Sequence, residues 1–203
     1  MRIRITEAVR PLASAVARAP QSAALSDYDL DGRERRPRPL VPAAVLVPIV
    51  EHRQGPTVLL TQRTGHLHDH PGQISFPGGR IESRDRGPVA AALRETEEEV
   101  GLTAESIEVV GFLDDYETVT RYLITPVVAF VRPGFQLTLD TFEVAEAFEV
   151  PLDFLLDPGN HQIHGAQRNG ERRRYYVIEY GEHYIWGATA GMLMDLYRRI
   201  VRS

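Results

Sequence analysis

The amino-acid sequence predicts an α+β domain built around a mixed β-sheet. Strand-like runs at 43–50, 57–63, 106–113 and 123–131 follow one another without a strict alternation of strands and helices. Helical spacing is limited to a few segments, of which the acidic one at 87–100 is the clearest. The 203 residues, 43% hydrophobic and 25% charged, are enough for one domain that buries its own core.

The first 40 residues predict a helix followed by an irregular lead-in. Val9, Leu12 and Val16 fall on one face of a helix over 5–18, before the break at Pro20. The chain from there to residue 40 is polar and rich in proline and arginine, which indicates a loop. The domain itself is therefore expected to span residues 41–203, without a second domain or an internal repeat.

Local signals place the remaining elements. Pro88 suits the first turn of the acidic helix, and Gly101 suits a left-handed residue at its end. Asn169-Gly170 predicts a hairpin between IHGAQ and RYYVIEY. Further helices are expected at 141–148, 151–156 and 187–201.

The composition excludes several classes of protein. The absence of cysteine excludes a disulfide framework, a thiolate zinc site and a cysteine nucleophile. A net charge of −5 argues against nucleic-acid binding. No run approaches a membrane span and the N-terminus has no signal-peptide core, so a cytoplasmic location is expected. Phosphate-binding GxxxxGK[ST], dinucleotide GxGxxG and esterase GxSxG motifs are also missing.

The acidic helix carries the chemistry. Glu95, Glu98 and Glu99 fall on one side of it, and Arg94 alone is expected to oppose their charges. A solvated charged face is the ordinary alternative, but like charges at i, i+4 near the negative end of a helix dipole cost stability. A bound cation would offset that cost, and oxygen ligands favour Mg²⁺ or Mn²⁺ over zinc.

Small residues around the helix are expected to leave room for a ligand. Ala91 and Ala92, one turn before the carboxylates, keep the helix surface low. Gly78-Gly79 lets the backbone approach closely and could offer a carbonyl ligand. Carboxylates that bind Mg²⁺ suit phosphate chemistry, in which the metal neutralises developing charge and activates a water.

These residues resemble the signature of the Nudix hydrolase superfamily, Gly-x5-Glu-x7-Arg-Glu-U-x-Glu-Glu-x-Gly-U, where U is aliphatic. Two positions depart from it. Asp85 stands where the first Glu belongs, one residue further from the arginine, and Thr96 replaces the first aliphatic residue. The matching positions are Gly79, Arg94, Glu95, Glu98, Glu99, Gly101 and Leu102.

The spacing and the flanking motifs are similar to the coenzyme A pyrophosphatase branch of that superfamily. The branch motif Leu-Leu-Thr-x-Arg-[Ser/Ala]-x3-Arg-x3-Gly-x3-Phe-Pro-Gly-Gly is matched over 59–79, with Thr64 for Ser/Ala and His68 for the second arginine. The likeness covers roughly residues 40–200. Downstream segments that contribute to it are 125–128, 143–144 and 186–190.

The resemblance implies a Nudix-like α/β/α sandwich around a mixed sheet, and a reaction in which water attacks one phosphorus of a nucleoside diphosphate derivative. The branch implies that coenzyme A or acyl-CoA is cleaved to 3′,5′-ADP and (acyl-)4′-phosphopantetheine. ADP-ribose, or another nucleoside diphosphate derivative, is the alternative substrate. A catalytically silent nucleotide-binding module is the alternative class. The three carboxylates of the signature, Glu95, Glu98 and Glu99, are all present, which argues against it. A homodimer is left open.

The resemblance also implies residue roles. Arg94 would orient carboxylates through charge-assisted hydrogen bonds, and Glu95 would act as a ligand or as the base. The catalytic residues it implies are Arg94, Glu95, Glu98 and Glu143. The metal ligands it implies are Gly78 through its carbonyl, Glu95, Glu98, Glu99 and Glu143. The residues expected to contact the substrate are Arg63, His68, Phe76 and Arg80.

Three other clusters have ordinary interpretations. His66-x-His68-x-His70 alternates like a zinc site, but nothing downstream completes one, so a loop beside the cleft is expected. Arg172–Arg174 could grip a phosphate, although a solvated strand edge is favoured. Met192 and Met194 are expected in the core.

Overall fold

A mixed β-sheet of nine strands runs through the part of the molecule that the computed structural model describes, namely residues 1–12, 25–35, 38–67, 69–168 and 171–202. The predicted strands at 43–50, 57–63, 106–113 and 123–131 all belong to it. The strands are β1 (Leu25–Ser26), β2 (Val41–Val50), β3 (Thr57–Arg63), β4 (Ile74–Ser75), β5 (Gly78–Arg80), β6 (Ile107–Phe112), β7 (Tyr116–Glu117), β8 (Tyr122–Val131) and β9 (Val144–Pro151).

Strand pairing in this sheet is partly parallel and partly antiparallel. β2 and β8 pair in parallel along their whole length, and β1 pairs in parallel with β7. β2 is flanked on its other side by β3 and β5, both antiparallel to it. The remaining antiparallel pairs join β6 and β7 to β8, and β4 and β9 to β3. The mixed sheet that the sequence predicts is confirmed.

A smaller antiparallel sheet and four α-helices complete the described chain. Asn169-Gly170 lies outside the described residues, but the strands on either side of it pair as a hairpin should. None of the helices within the described ranges combines the length and apolar character that a membrane crossing needs. The elements are β10 (Gln162–Arg168), β11 (Glu171–Tyr180), β12 (His183–Trp186), α1 (Arg2–Ala8), α2 (Pro88–Val100), α3 (Leu152–Leu156) and α4 (Ala188–Arg202).

Helices cover both faces of the large sheet, which explains why β2 is an almost unbroken apolar run. Val47 and Ile49 of β2 belong to the core cluster that includes residues of α1, α3 and α4. Leu46 of β2 faces the other way and packs with Ala91 and Ala92 of α2. Both alanines are fully buried, so the expectation that they leave room for a ligand was wrong. Their small side chains instead bring α2 close to the sheet.

The helix expected at 141–148 was wrong, because most of that segment belongs to strand β9. Its alanines and glutamates have good intrinsic helix propensity. β3, however, offers an open edge, and β9 fills it with an antiparallel ladder that runs from Thr57↔Pro151 to Arg63↔Val144. Pairing with a distant strand has overridden local preference. The next predicted helix is present as α3.

The N-terminal helix is shorter than the span 5–18 that was predicted. α1 ends at Ala8, because the chain then turns to pair with β6: Arg10 N–H donates to the carbonyl of Phe112 at 2.9 Å, and Phe112 N–H donates back at 3.0 Å. Ile5 and Val9 are buried in the main core, whereas Leu12 is exposed. The rest of the predicted helix, at 13–18, lies outside the described residues.

Replacing Gly111 of β6 by alanine should weaken the docking of the N-terminal segment. A Cβ there would lie 2.3 Å from the carbonyl oxygen of Arg10 and 2.5 Å from Cγ2 of Val9. We expect Gly111→Ala to lower the free energy of unfolding by about 1–3 kcal/mol in urea denaturation. Gly65→Ala is the control, because a Cβ at Gly65 meets nothing within 4 Å. Equal stability of the two variants would contradict the observed docking.

Candidate functional site

A cavity of about 750 Å³ lies beside the acidic helix. Its lining includes three carboxylates, Glu95, Glu99 and Glu143, which we call the acidic cluster. It also includes an aromatic pair, Tyr175 and Trp186, whose ring centroids are 5.3 Å apart in an edge-to-face arrangement. The cavity therefore joins the carboxylates of the large sheet's helix to the small sheet.

Local sequence sets the limits of α2. Pro88 occupies its first turn, where a missing N–H costs nothing, and Gly101 ends it with a left-handed φ of 71°. Thr96, where the Nudix signature has an aliphatic residue, is fully buried, and its hydroxyl donates to the carbonyl of Ala92 at 2.7 Å. The substitution is tolerated because the hydroxyl is satisfied within the helix. The predicted helix bounds are confirmed.

Arg94 connects the helix to the loop that precedes it. Its Nε and Nη2 donate to the two oxygens of Asp85, both at 3.0 Å. Its Nη1 donates to Glu95 and Glu98, both at 2.8 Å. The bidentate pair raises the pKa of Arg94 and holds the pKa of Asp85 below its usual range. Asp85, which departs from the signature by type and spacing, thus serves as the anchor of this arginine.

Two further arginines oppose the acidic residues, so Arg94 does not act alone. Nη2 of Arg84 lies 3.4 Å from Glu98, and Nη1 of Arg63 lies 4.0 Å from Glu99. Neither arginine belongs to the helix, which is why counting charges on α2 missed them. The expectation of one opposing cation was therefore too simple.

Glu99 is the most deeply buried member of the acidic cluster, with 6% of its surface exposed. Burial raises its pKa to about 8, and the negative charges of Glu95 and Glu143 act in the same direction. Gly78 N–H, 3.3 Å from Oε2, and Arg63 only partly oppose this. Burial also raises the pKa of Glu95 in spite of its bond to Arg94. Burial and the neighbouring carboxylates therefore both oppose ionisation of Glu95 and Glu99.

Gly78 and Gly79 are required by close approach. β5 pairs with β2 so tightly that a Cβ at Gly78, whose φ is 153°, would lie 2.4 Å from the carbonyl oxygen of Ala44. A Cβ at Gly79 would lie 2.5–2.7 Å from the carboxylate of Glu95. Only glycine lets this carboxylate lie directly over the strand.

The structure brings most of the predicted site residues together. Glu143 reaches the cluster from the turn before β9, where its carbonyl accepts a hydrogen bond from Thr64 N–H at 2.9 Å. Glu98 does not line the cavity: its side chain is 52% exposed and is held by Arg84 and Arg94. His68 lies outside the described residues. The predicted residues that line the cavity are Arg63, Phe76, Gly78, Arg80, Glu95, Glu99 and Glu143.

Within the described ranges of the chain, no three carboxylate or imidazole side chains converge as the ligands of one metal ion would. The side chains of Glu98 and Glu99 are held apart by different partners. Glu98 is held by arginines, and Glu99 accepts from the N–H of Gly78. Mutual repulsion of unneutralised carboxylates acts in the same sense. His70 and Asp69 line the cavity from the histidine loop.

Arg173 and Arg174 line the cavity, which corrects the expectation of a merely solvated strand edge. Arg174 donates from its backbone N–H and its Nε to Asp31, both at 3.1 Å in their shorter contacts. The side chain of Arg172 lies outside the described residues. Sequence reasoning also missed Asp27 and Tyr175, because only the tertiary fold carries them to the cavity. Met192 and Met194 are buried as expected.

Comparison with known proteins gives a consistent result. The protein-family model of the NUDIX domain matches residues 40–167. The proteins described as uncharacterized Nudix hydrolase NudL in Citrobacter koseri and Escherichia coli K12 are each 41% identical over 158 residues, which covers 78% of this chain and 82% of theirs. The crystal structure of the MutT protein from Methanosarcina mazei Go1 superposes with a TM-score of 0.52 at 17% identity, over 83% of this chain and 97% of that one. The last likeness concerns the fold alone.

Replacing Glu99 by glutamine should stabilise the metal-free protein, and more so at high pH. The folded-state pKa of about 8 lies above the usual 4.5, so the folded chain holds a proton there that the unfolded chain releases. Stability of the native chain must then fall as pH rises from about 4.5 to 8. We expect Glu99→Gln to raise the free energy of unfolding by about 1–3 kcal/mol at pH 8.5, measured by chemical denaturation in the presence of chelator. At pH 5 the variant and the native chain should differ little.

Glu97→Gln is the matched control, because Glu97 is exposed on the same helix and its loss removes one charge of the same sign. Its effect on stability should be small at both pH values. If both variants stabilise the chain equally, burial of Glu99 is not the cause.

Proposed function

The chain belongs to the NUDIX domain family, and from this premise we propose that it is a metal-dependent hydrolase of the pyrophosphate bond in a nucleoside diphosphate derivative, with coenzyme A or acyl-CoA as the substrate. The observation that carries the proposal is the acidic cluster, a set of half-buried and buried carboxylates placed in one large cavity. Burial and neighbouring carboxylates raise the pKa of Glu95 and of Glu99, and a purely structural role does not require carboxylates in such a place. Charge-neutralising ligands would make this arrangement favourable.

The donor set fits a divalent Mg²⁺ or Mn²⁺ ion. It consists of oxygen atoms alone, and hard cations prefer carboxylate and carbonyl oxygen. Burial first, and neighbouring carboxylates second, raise the pKa of Glu95 and of Glu99, and a bound cation would favour the ionised form of both. The residues that would hold it are Gly78 through its carbonyl, Glu95, Glu98, Glu99 and Glu143. When bound, the metal would neutralise the diphosphate and activate the attacking water.

The chain's own residues supply position and proton transfer. Glu95, which Arg94 fixes from one side and Gly79 admits from the other, is our candidate for the base that takes the proton of the water. Glu98 is fixed by the same arginine and is exposed enough to change partner when a ligand enters. Glu143 adds its charge from a separate element, so the cluster spans α2 and the turn before β9.

Features of the cavity support a nucleotide-sized substrate. Its volume of about 750 Å³ is in the range of small-molecule sites, and apolar residues such as Phe76 and Met192 share the lining with charged ones. Arg63, Arg80 and Arg173 provide positive charge for phosphate groups. The choice of coenzyme A rests on the sequence motifs over 59–79 and 186–190. ADP-ribose or another nucleoside diphosphate derivative is the alternative substrate, and silent nucleotide binding is the alternative class.

A substrate panel tests the proposal directly. Purified protein should cleave coenzyme A in the presence of Mg²⁺ or Mn²⁺ and should lose this activity in excess EDTA, since the proposed reaction needs the metal to activate the attacking water. Product analysis by chromatography would identify 3′,5′-ADP and 4′-phosphopantetheine. Cleavage of ADP-ribose but not of coenzyme A would support the assignment as a hydrolase and refute coenzyme A as its substrate. Nucleotide binding without any cleavage would instead identify a catalytically silent binding module. Full turnover in excess EDTA would refute the proposed dependence on a metal ion.

A pair of helix variants tests the role of Glu98. Glu98→Gln should lower kcat at least about 100-fold, because losing one charged ligand removes a few kcal/mol of electrostatic stabilisation in the transition state. Glu97→Gln, one residue away and exposed, should retain activity within about twofold. Thermal unfolding of both variants should show that the fold is intact. If Glu98→Gln keeps as much activity as Glu97→Gln, Glu98 has no role in the reaction.

A further inference from the structure

A short stretch of the lead-in, outside the residues matched by the NUDIX domain, forms part of the cavity wall. Strand β1 pairs in parallel with β7, and Leu25 N–H donates to the carbonyl of Asp115 at 3.3 Å. Asp27 N–H continues the pattern by donating to the carbonyl of Glu117 at 3.1 Å. These bonds fix Asp27, the next residue, beside the cavity.

The Asp27 carboxylate is held by two donors from the turn region of β7 and β8. Tyr116 O–H donates to Oδ1 and Val119 N–H donates to Oδ2, both at 2.8 Å. Tyr116 is itself pressed against α4, where a Cβ at Gly191 would lie 2.6 Å from its ring. Burial raises the pKa of Asp27 in spite of both donors and of the nearby charge of Arg173. The fold thus places a desolvated carboxylate at a fixed point.

Tethering the lead-in does not by itself explain this carboxylate. Backbone pairing in β1 already attaches the segment, and Asp29 orders it internally by accepting from the N–H and the hydroxyl of Ser26, both at 2.7 Å. Among the residues that the structure describes, each oxygen of Asp27 accepts one hydrogen bond, while a carboxylate oxygen can accept about two. Asp27 lines the cavity, so its remaining acceptor capacity is available to a ligand there.

Other residues that line the same cavity suggest which ligand this is. Tyr175 and Trp186 present flat rings on adjacent strands, and Arg173 adds a positive charge. Aromatic rings stack on nucleobases with a gain of about 1–3 kcal/mol per base. A half-buried acceptor in the same cavity favours a base that offers an N–H donor, because a polar group that loses water without gaining a partner is costly.

We propose that Asp27, together with Tyr175 and Trp186, forms a nucleobase subsite in which Asp27 accepts a hydrogen bond from the 6-amino group of adenine. This inference rests on the proposed function, since it identifies the part of the cavity that takes the nucleoside. Hypoxanthine carries an oxygen in place of the amino group. Two acceptors would then face each other, and the site would discriminate against the inosine nucleotide.

Fluorescence of Trp186, the only tryptophan of the chain, provides a readout that needs no turnover. The full chain is titrated with ADP and with IDP in EDTA, so that cleavage plays no part. We expect ADP to quench the fluorescence and to bind at least about tenfold more tightly than IDP, a difference of about 1.4 kcal/mol. Asp27→Asn should abolish or reverse this preference, because its amide N–H₂ can donate to the 6-oxygen of IDP while the amide oxygen still accepts from Val119.

Asp29→Asn is the matched control, because it disturbs the same segment without changing a residue that lines the large cavity. It should weaken ADP and IDP equally and leave their ratio unchanged. The proposal is overturned if the native chain binds the two nucleotides equally, if Asp27→Asn keeps the preference for ADP, or if ADP causes no quenching. Failure to cleave any diphosphate substrate would refute the proposed function but would leave this binding result intact.

Discussion

The acidic site depends on the hydrogen bonds that the guanidinium group of Arg94 donates to the surrounding carboxylates. Its planar fork engages Asp85 through two parallel hydrogen bonds and still has Nη1 free to hold Glu95 and Glu98. Its Nη2 also donates to the carbonyl of Arg80 at 3.1 Å, so the end of β5 is tied to the helix by the same group. A lysine could not make these bonds in one plane. Removing Arg94 would leave several carboxylates without their common partner.

The remaining carboxylates create the opposite problem, because among the described residues Glu99 and Glu143 have no partner comparable to Arg94. A buried carboxyl group without a counter-charge takes up a proton in preference to remaining ionised, which is the meaning of the raised pKa of Glu99. The fold accepts this cost where β5 lies close to β2 at Gly78 and close to the Glu95 carboxylate of α2 at Gly79. Either a proton or a cation can neutralise these carboxylates, so the proposed metal ion would compete with protons for the same oxygen atoms.

The sequence predicts best what depends on neighbours along the chain. The bounds of α2 follow from Pro88 and Gly101, which act within one turn, and the strands of the central sheet follow from unbroken apolar runs. β9 was misread as helix because its strand character comes from the edge of β3. Arg173 was assigned to solvent for a related reason: which side of a hairpin faces a cavity depends on the sheet that it packs against. Pairings at long range are invisible to local propensity.

The two ends of the chain contribute differently from its centre. The carboxylates that we assign to chemistry lie on α2 and beside β9, within the residues that the family shares. The residues that we assign to the nucleobase come from the lead-in, in Asp27, and from β11 and β12, in Tyr175 and Trp186. Substitutions at such peripheral positions can change what the cavity accepts without disturbing Arg94 and its carboxylates. Recognition and reaction are thus carried by different segments, which meet only because β1 pairs with β7 and α4 packs against Tyr116.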